Sequence, residues 1–478
     1  MYKQLVIGLI SALTVFGSAA LGRSFDVREL RPLRNGIDAL ETGDISSREA
    51  EILIDKYLKP YVECVSFSGT VMVVRGQTVL LNKGYGMSVY EHKVENSANT
   101  KYQIASLSKS FTVAAIFLLV EKGKLRLDDP VSRFIADFPD GDKITINQLL
   151  THTSGLPRYV FLPDYQDRSQ RMHTTKDLVD WIRDKERSSS PGEKYAYSNA
   201  NYAILAHIIE RVSGEKYGDF LSRHIFAPLG LSATGHRAEI HAPIKDMAFG
   251  YVPVGIKDLY HSPHHDYTSS TGAGSLFSTT GDIYKWFNAW QSGELLNKQT
   301  RKLITEMVGS PIGYSWHTEK RVNRDALVMT GWDGVGFAAQ FLYFPDEKLT
   351  VIVLSNFNMS SITVEIADNV AAIGFGEAYR PLELRTTRIS SKDELRELAG
   401  LYRFGKDFYV PDSTIRVVES GGNLLVPAEP PFPEGGLLPL KDGSYIHRQH
   451  WFRLSFRRDD SGKVTGMKYG DFEAKKET

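Results

Sequence analysis

β-Rich runs stand at both ends of a stretch of about 300 residues whose middle reads as helix, and that order limits the possible folds more than any other feature. Residues 70–74 and 78–81 are strand-like, and Arg75-Gly76-Gln77 between them predicts a hairpin. Residues 327–329, 337–344 and 350–354 are again strand-like, the last two joined across Pro345-Asp346-Glu347-Lys348. Between these ends, residues 106–122 carry a helical pattern that stops at Gly123, and residues 201–213 carry another that stops at Gly214. A further amphipathic helix is expected over 46–57, with Ser47 as its N-cap. The expectation is an α+β domain whose terminal strands share one antiparallel sheet flanked by helices.

The 478 residues hold more than this domain. Lys3, an apolar run from Leu5 to Phe16 and then Gly17-Ser18-Ala19-Ala20-Leu21-Gly22 read as a secretory signal peptide over residues 1–22. The run falls short of the ~20 residues that a membrane span needs. Beyond residue 385, short β-like runs alternate with turn clusters such as Ser420-Gly421-Gly422-Asn423 and Lys441-Asp442-Gly443, the pattern of a small sandwich or barrel. The expected division is a signal at 1–22, a main domain over 23–385 and an all-β domain over 386–478. Cys64 is the single cysteine, which excludes an intramolecular disulfide and a cysteine-cluster zinc site. The signal implies a periplasmic or secreted protein, and an exported chain without a disulfide suits a bacterial periplasm better than a disulfide-rich extracellular module. With 57 Lys+Arg against 57 Asp+Glu, nothing electrostatic points to a nucleic-acid partner.

Gly-x-Ser-x-Gly, Walker and His-Glu-x-x-His motifs are missing from the chain, which disfavours the hydrolases and NTPases built on them. His261, His264 and His265 lie near Asp266, but Pro263 among them argues for a loop and a solvated or structural role. Ser106-Leu107-Ser108-Lys109 is the stronger candidate. On a helix, positions i and i+3 share a face, and a lysine amine desolvated beside a serine can take its proton. A second copy, Ser213-Gly214-Glu215-Lys216, reads as a helix terminus. Tyr197-Ser198-Asn199 supplies a phenol and an amide two positions apart, which an extended or loop backbone points the same way. The phenol can shuttle a proton, and the amide can orient a substrate carbonyl and the lysine. Met329-Thr330-Gly331-Trp332 ends a strand, where a substrate can lie alongside and the following N–H can donate to an oxyanion.

Ser-x-x-Lys, Tyr-x-Asn and a Thr-Gly strand, in that order, resemble the three motifs of the serine β-lactamases and penicillin-binding proteins. Segments around them strengthen the likeness: Gln103-Ile104-Ala105-Ser106, Leu149-Leu150-Thr151-His152-Thr153-Ser154-Gly155-Leu156-Pro157 and Gly272-Ala273-Gly274-Ser275. The chain is similar to the class C β-lactamase-like serine hydrolases, a group with D-aminopeptidases, D-alanyl-D-alanine carboxypeptidases and esterases. The likeness runs over about residues 60 to 360, and the tail resembles the lipocalin-like β-domain of some members. It implies a β-lactamase/transpeptidase-like fold with Ser106 as acylated nucleophile, Lys109 as proton acceptor, Tyr197 as acid/base and Asn199 as a polar orienter. The N–H groups of Ser106 and Trp332 would form the oxyanion hole, and Met329, Thr330 and Gly331 would line the substrate. It implies acyl transfer to a small-molecule or peptide substrate, with no metal or cofactor, and it makes His152 and Ser154 structural.

One position departs from the family. Lys or His usually precedes the Thr/Ser-Gly of the third motif and helps to hold a substrate carboxylate; here it is Met329. That points toward esters, amides or peptides without the carboxylate. Two other readings are a catalytically weakened envelope protein with a binding or regulatory role, and a lipid- or polymer-binding function in the β-domain.

Overall fold

The computed structural model describes residues 45–237, 243–308, 314–385 and 392–477. The segment read as a signal peptide lies outside the described residues. The chain forms two compact units. One comprises residues 69–249 and 263–356; the other comprises residues up to 68, 250–262 and 357 onward.

The first unit is built on a six-stranded antiparallel sheet. Its strands are β1 (Gly69–Arg75), β2 (Thr78–Tyr85), β3 (His317–Arg321), β4 (Arg324–Trp332), β5 (Ala338–Phe344) and β6 (Leu349–Ser355), in the spatial order β3-β4-β5-β6-β1-β2. First and last strands share the sheet as expected: β1 pairs with β6 from Gly69 opposite Ser355 to Arg75 opposite Leu349. Both are buried along nearly their whole length, which suits their runs of Val, Ile and Leu.

A largely helical layer carries the rest of this unit's core. After a 3₁₀ turn at Ala105–Leu107, helix α1 (Ser108–Glu121) is buried on almost every side, from Ser108 through Phe117. Its sequence dictates this, since no charged residue occurs between Lys109 and Glu121. The buried hydroxyls are satisfied: Thr112 donates to the Gly272 carbonyl at 2.7 Å, and Ser110 Oγ accepts from Trp286 Nε1 at 3.0 Å. Helix α2 (Asn199–Ser213) starts two residues before its expected position. Ser198 caps it through the Ala200 N–H, and Gly214, at φ 77°, ends it. Ser213-Gly214-Glu215-Lys216 is therefore a helix terminus, as read.

The second unit has its own core. A helix at Ser47–Glu63 begins with a capping box that places Ser46, not Ser47, at the N-cap: Ser46 Oγ accepts from the Glu49 N–H at 3.3 Å, and Glu49 accepts from the Ser46 N–H at 3.0 Å. It runs past residue 57, through Pro60, and packs on the helix Ser360–Gly374. The tail is a closed barrel of eight antiparallel strands, from Gly400–Phe404 to Phe472–Lys476. Its interior is filled by its own side chains. Phe408 stacks on Phe404 at 3.8 Å between ring centroids, and Phe432 packs within 6 Å of both.

Candidate active site

Every residue singled out for chemistry lies in the first unit. Residues 102–105 and 107–117 are buried, and Ser106 is the one partly open position among them. The turn that presents it is unusual, because Ala105 holds φ at 46°, a left-handed conformation that a Cβ disfavours. Strand β4 approaches this turn closely. A Cβ on Gly331 would stand 2.5 Å from the Ile104 carbonyl oxygen and 3.1 Å from Leu107 Cδ1, so only glycine fits there.

Three functional groups meet at Ser106. Lys109 Nζ donates to Ser106 Oγ at 3.0 Å, and Ser106 Oγ and the Tyr197 hydroxyl share a 2.9 Å hydrogen bond. Lys109 Nζ also donates to the Ala273 carbonyl at 2.8 Å. The fixed orienter of the lysine is thus a backbone carbonyl. The Asn199 amide, expected to help there, instead keeps its Oδ1 buried without a hydrogen-bond partner. Lys109 is only 2 % exposed, and burial holds its amine well below the ordinary lysine range. Burial raises the Tyr197 phenol, while the bond to Ser106 and the nearby Arg158 charge lower it.

Tyr197 is held from behind by His152. The His152 carbonyl accepts from the Ala196 N–H at 2.8 Å, and its Nδ1 accepts from the Ser198 N–H at 3.2 Å. The imidazole ring packs on the phenol with centroids 4.4 Å apart. Burial pushes His152 down to about 3, so the ring stays neutral and Nδ1 stays an acceptor. Ser154 donates to Asn201, whose Nδ2 lies 3.0 Å from His152 Nδ1. His152 and Ser154 are framework.

The third motif is split by the pleat. Met329 and Gly331 share a face, and Met329 is 3 % exposed within the main core. Thr330 donates to Gln340 on the neighbouring strand at 2.8 Å, and Trp332 is partly exposed at the strand end. Asp333 then ties the end down, accepting from the N–H groups of Val335, Gly336 and Phe337 and from the Tyr267 hydroxyl. His265 sits against Tyr267, ring centroids 4.8 Å apart. Among the described residues, no three His, Cys, Asp or Glu side chains converge as metal ligands would. Sequence reasoning missed Ala273, Asp333 and Arg158. Ala273 acts through a backbone carbonyl and Asp333 through a carboxylate that ties down a strand end, neither of which carries a motif, and Arg158 directly follows a segment read only as structural.

The Beta-lactamase family model matches residues 54–374, more than half of the chain, and the chain belongs to that family. It is a serine hydrolase by fold and family. Penicillin-binding protein 4* of Bacillus subtilis (strain 168) is 31% identical over 312 residues, covering 61% of this chain and 68% of that one. The fold is similar to the octameric penicillin-binding protein homologue from Pyrococcus abyssi, with a TM-score of 0.61 and 23% identity over 90% of this chain and all of that one. It is also similar to D-amino acid amidase from Ochrobactrum anthropi SV3, with a TM-score of 0.60 and 22% identity over 69% of this chain and 97% of that one.

Proposed function

We propose that the protein is an exported hydrolase, of the periplasm or secreted, that cleaves amide, peptide or ester bonds through an acyl-enzyme on Ser106. The observation that carries this reading is the convergence of Lys109 Nζ and the Tyr197 hydroxyl on Ser106 Oγ, at 3.0 and 2.9 Å. Ser106 Oγ attacks the substrate carbonyl and gives its proton to the neutral Lys109–Tyr197 pair. The oxyanion is held by the N–H groups of Ser106 and Trp332. Tyr197 returns the proton to the departing group, and water then cleaves the ester. Asn199 orients the substrate amide through its unpartnered Oδ1. Names among the relatives, penicillin-binding protein and D-amino acid amidase, support amide chemistry. Residues 23–385 carry the hydrolase and 386–478 the β-domain. Among the described residues, no helix is long and apolar enough to cross a membrane.

Incubation with a fluorophosphonate or a labelled penicillin, followed by peptide mapping, tests the reading. The adduct is expected on Ser106 and is lost in Ser106→Ala and Lys109→Ala. Folded protein that takes up no acylating probe would sink it.

A further inference from the structure

Asp333 stands one residue beyond Trp332, whose N–H is the second oxyanion donor in the acyl-enzyme reading. The register of the sheet fixes which way that N–H points. Gly331 lies opposite Ala339 and Trp332 opposite Ala338, and the Asp333 N–H donates to the Phe337 carbonyl at 3.3 Å. Backbone N–H groups alternate sides along a strand, so Asp333 faces β5 and Trp332 points its N–H away from β5. The strand ends there, and one carboxylate holds the end. Gly334, at φ 77°, turns the chain, and three successive N–H groups reach Asp333 Oδ1: Val335 at 3.0 Å, Gly336 at 2.9 Å and Phe337 at 2.9 Å. Asp333 Oδ2 takes a different partner, the buried Tyr267 hydroxyl, at 2.9 Å. A hydrogen bond to a carboxylate is among the stronger ones, and burial keeps water from competing for it.

Tyr267 opens the segment that orients the lysine. A 3₁₀ turn at Tyr267–Ser270 leads into Thr271-Gly272-Ala273, and the Ala273 N–H donates to the Ser270 carbonyl at 2.9 Å. Ser270 Oγ donates back to the Tyr267 carbonyl at 3.1 Å, which closes the turn on itself. The Ala273 carbonyl then receives Lys109 Nζ at 2.8 Å. We infer that the Tyr267–Asp333 hydrogen bond is a latch that fixes the Trp332 N–H against this segment, and so against Ser106 and Lys109. Both residues act through the groups they hold and are positioning residues. An oxyanion donor acts at about 2.7–3.1 Å, so a small shift of the strand end weakens it. The inference deepens the acyl-enzyme reading and rests on it.

p-Nitrophenyl acetate and p-nitrophenyl thionoacetate differ only in the carbonyl oxygen, which sulfur replaces in the second. Sulfur is larger and a weaker acceptor, so a well-placed oxyanion hole favours the oxygen form. The readout is the ratio of their kcat/KM values, oxygen over sulfur, each corrected for the Ser106→Ala background. Tyr267→Phe, which removes one hydroxyl, is expected to lower the ratio by roughly three- to tenfold. Asp333→Ala is expected to lower it by roughly ten- to a hundredfold, less than the loss of a whole donor. Asp333→Asn keeps an acceptor for the three N–H groups and is expected to fall between wild type and Asp333→Ala. A change that acts on Lys109 or on the fold in general slows both compounds alike. A ratio unchanged in Tyr267→Phe therefore overturns the latch, whether the two rates hold or fall together. If mass spectrometry finds neither compound acylating Ser106 in the wild type, the hydrolase reading itself fails and the latch with it.

Discussion

An amine that must accept a proton near neutral pH needs dry surroundings, and Lys109 has them because the helix that carries it has no other charge until Glu121. On the proposed mechanism, activity and stability depend on the same burial. Lys109→Met is expected to lower acylation by about 10²–10⁴-fold, the range of a lost general base. Its effect on stability has a definite sign. The folded state holds the lysine pKa low, so between that value and 10.5 the unfolded chain binds more protons and wild-type stability rises with pH. The stability of Lys109→Met relative to wild type should thus be greatest at the acid end of this window and shrink toward pH 10.5. Urea midpoints of both proteins across that range check it; a difference that does not move with pH refutes the claim. The meeting of Ser106, Lys109 and Tyr197 was legible because the chemistry proposed for them requires fixed residue types within short motifs. Ala273 was not, because what it contributes is a carbonyl that any residue has, delivered by a turn 164 positions away.

At the scale of elements, local rules placed most strands and helices, and they erred where a neighbouring polar residue offered a better cap. Ser46-x-x-Glu49 is a capping-box sequence, and it takes the N-cap from Ser47. What joins distant elements was not legible at all. Arg448 lies fully buried in the barrel unit. Nη1 donates to the carbonyls of Val254 and Asp258, within the hairpin Tyr251–Val254/Asp258–His261, and Nη2 donates to Val65, just past the first helix. Gly436 meets the same hairpin, its N–H donating to the Gly255 carbonyl at 2.7 Å. Three segments nearly 400 residues apart in the chain are thus held by one side chain. Arg448→Met keeps the volume but leaves these carbonyls buried without donors, at about 1–3 kcal/mol for each one unmet. A loss of about 3 kcal/mol or more in urea unfolding is expected; a change under 1 kcal/mol would mean that the carbonyls find other donors.

The zero net charge of the whole chain, 57 against 57, hides a pH sensitivity that its buried imidazoles create. Burial pushes His152, His236 and His447 each down to about 3, in both units. Each stays neutral in the folded state while the unfolded chain protonates near 6.5. Stability present above pH 6.5 is therefore lost progressively between 6.5 and 3, at up to about 1.4 kcal/mol per pH unit for each fully differing site. Glu365 works the other way, because burial raises its carboxyl and the folded state keeps that proton longer. That opposing effect begins nearer the ordinary carboxylate range, so the imidazoles dominate just below pH 6.5. His236 gives the cleanest test. Both of its ring nitrogens are buried without a hydrogen-bond partner, and its ring packs 5.2 Å from that of Tyr217. Replacing it with a similar apolar ring removes an unmet polar group and a titration together. The urea midpoint of wild type is expected to fall between pH 8 and pH 5, and His236→Phe is expected to fall less. His236→Leu guards against overpacking by the larger ring, since it should show the same flattening even if its midpoint at pH 8 is lower. Equal slopes for wild type and both variants would show that His236 titrates alike in the folded and unfolded chain, and that acid instability arises elsewhere.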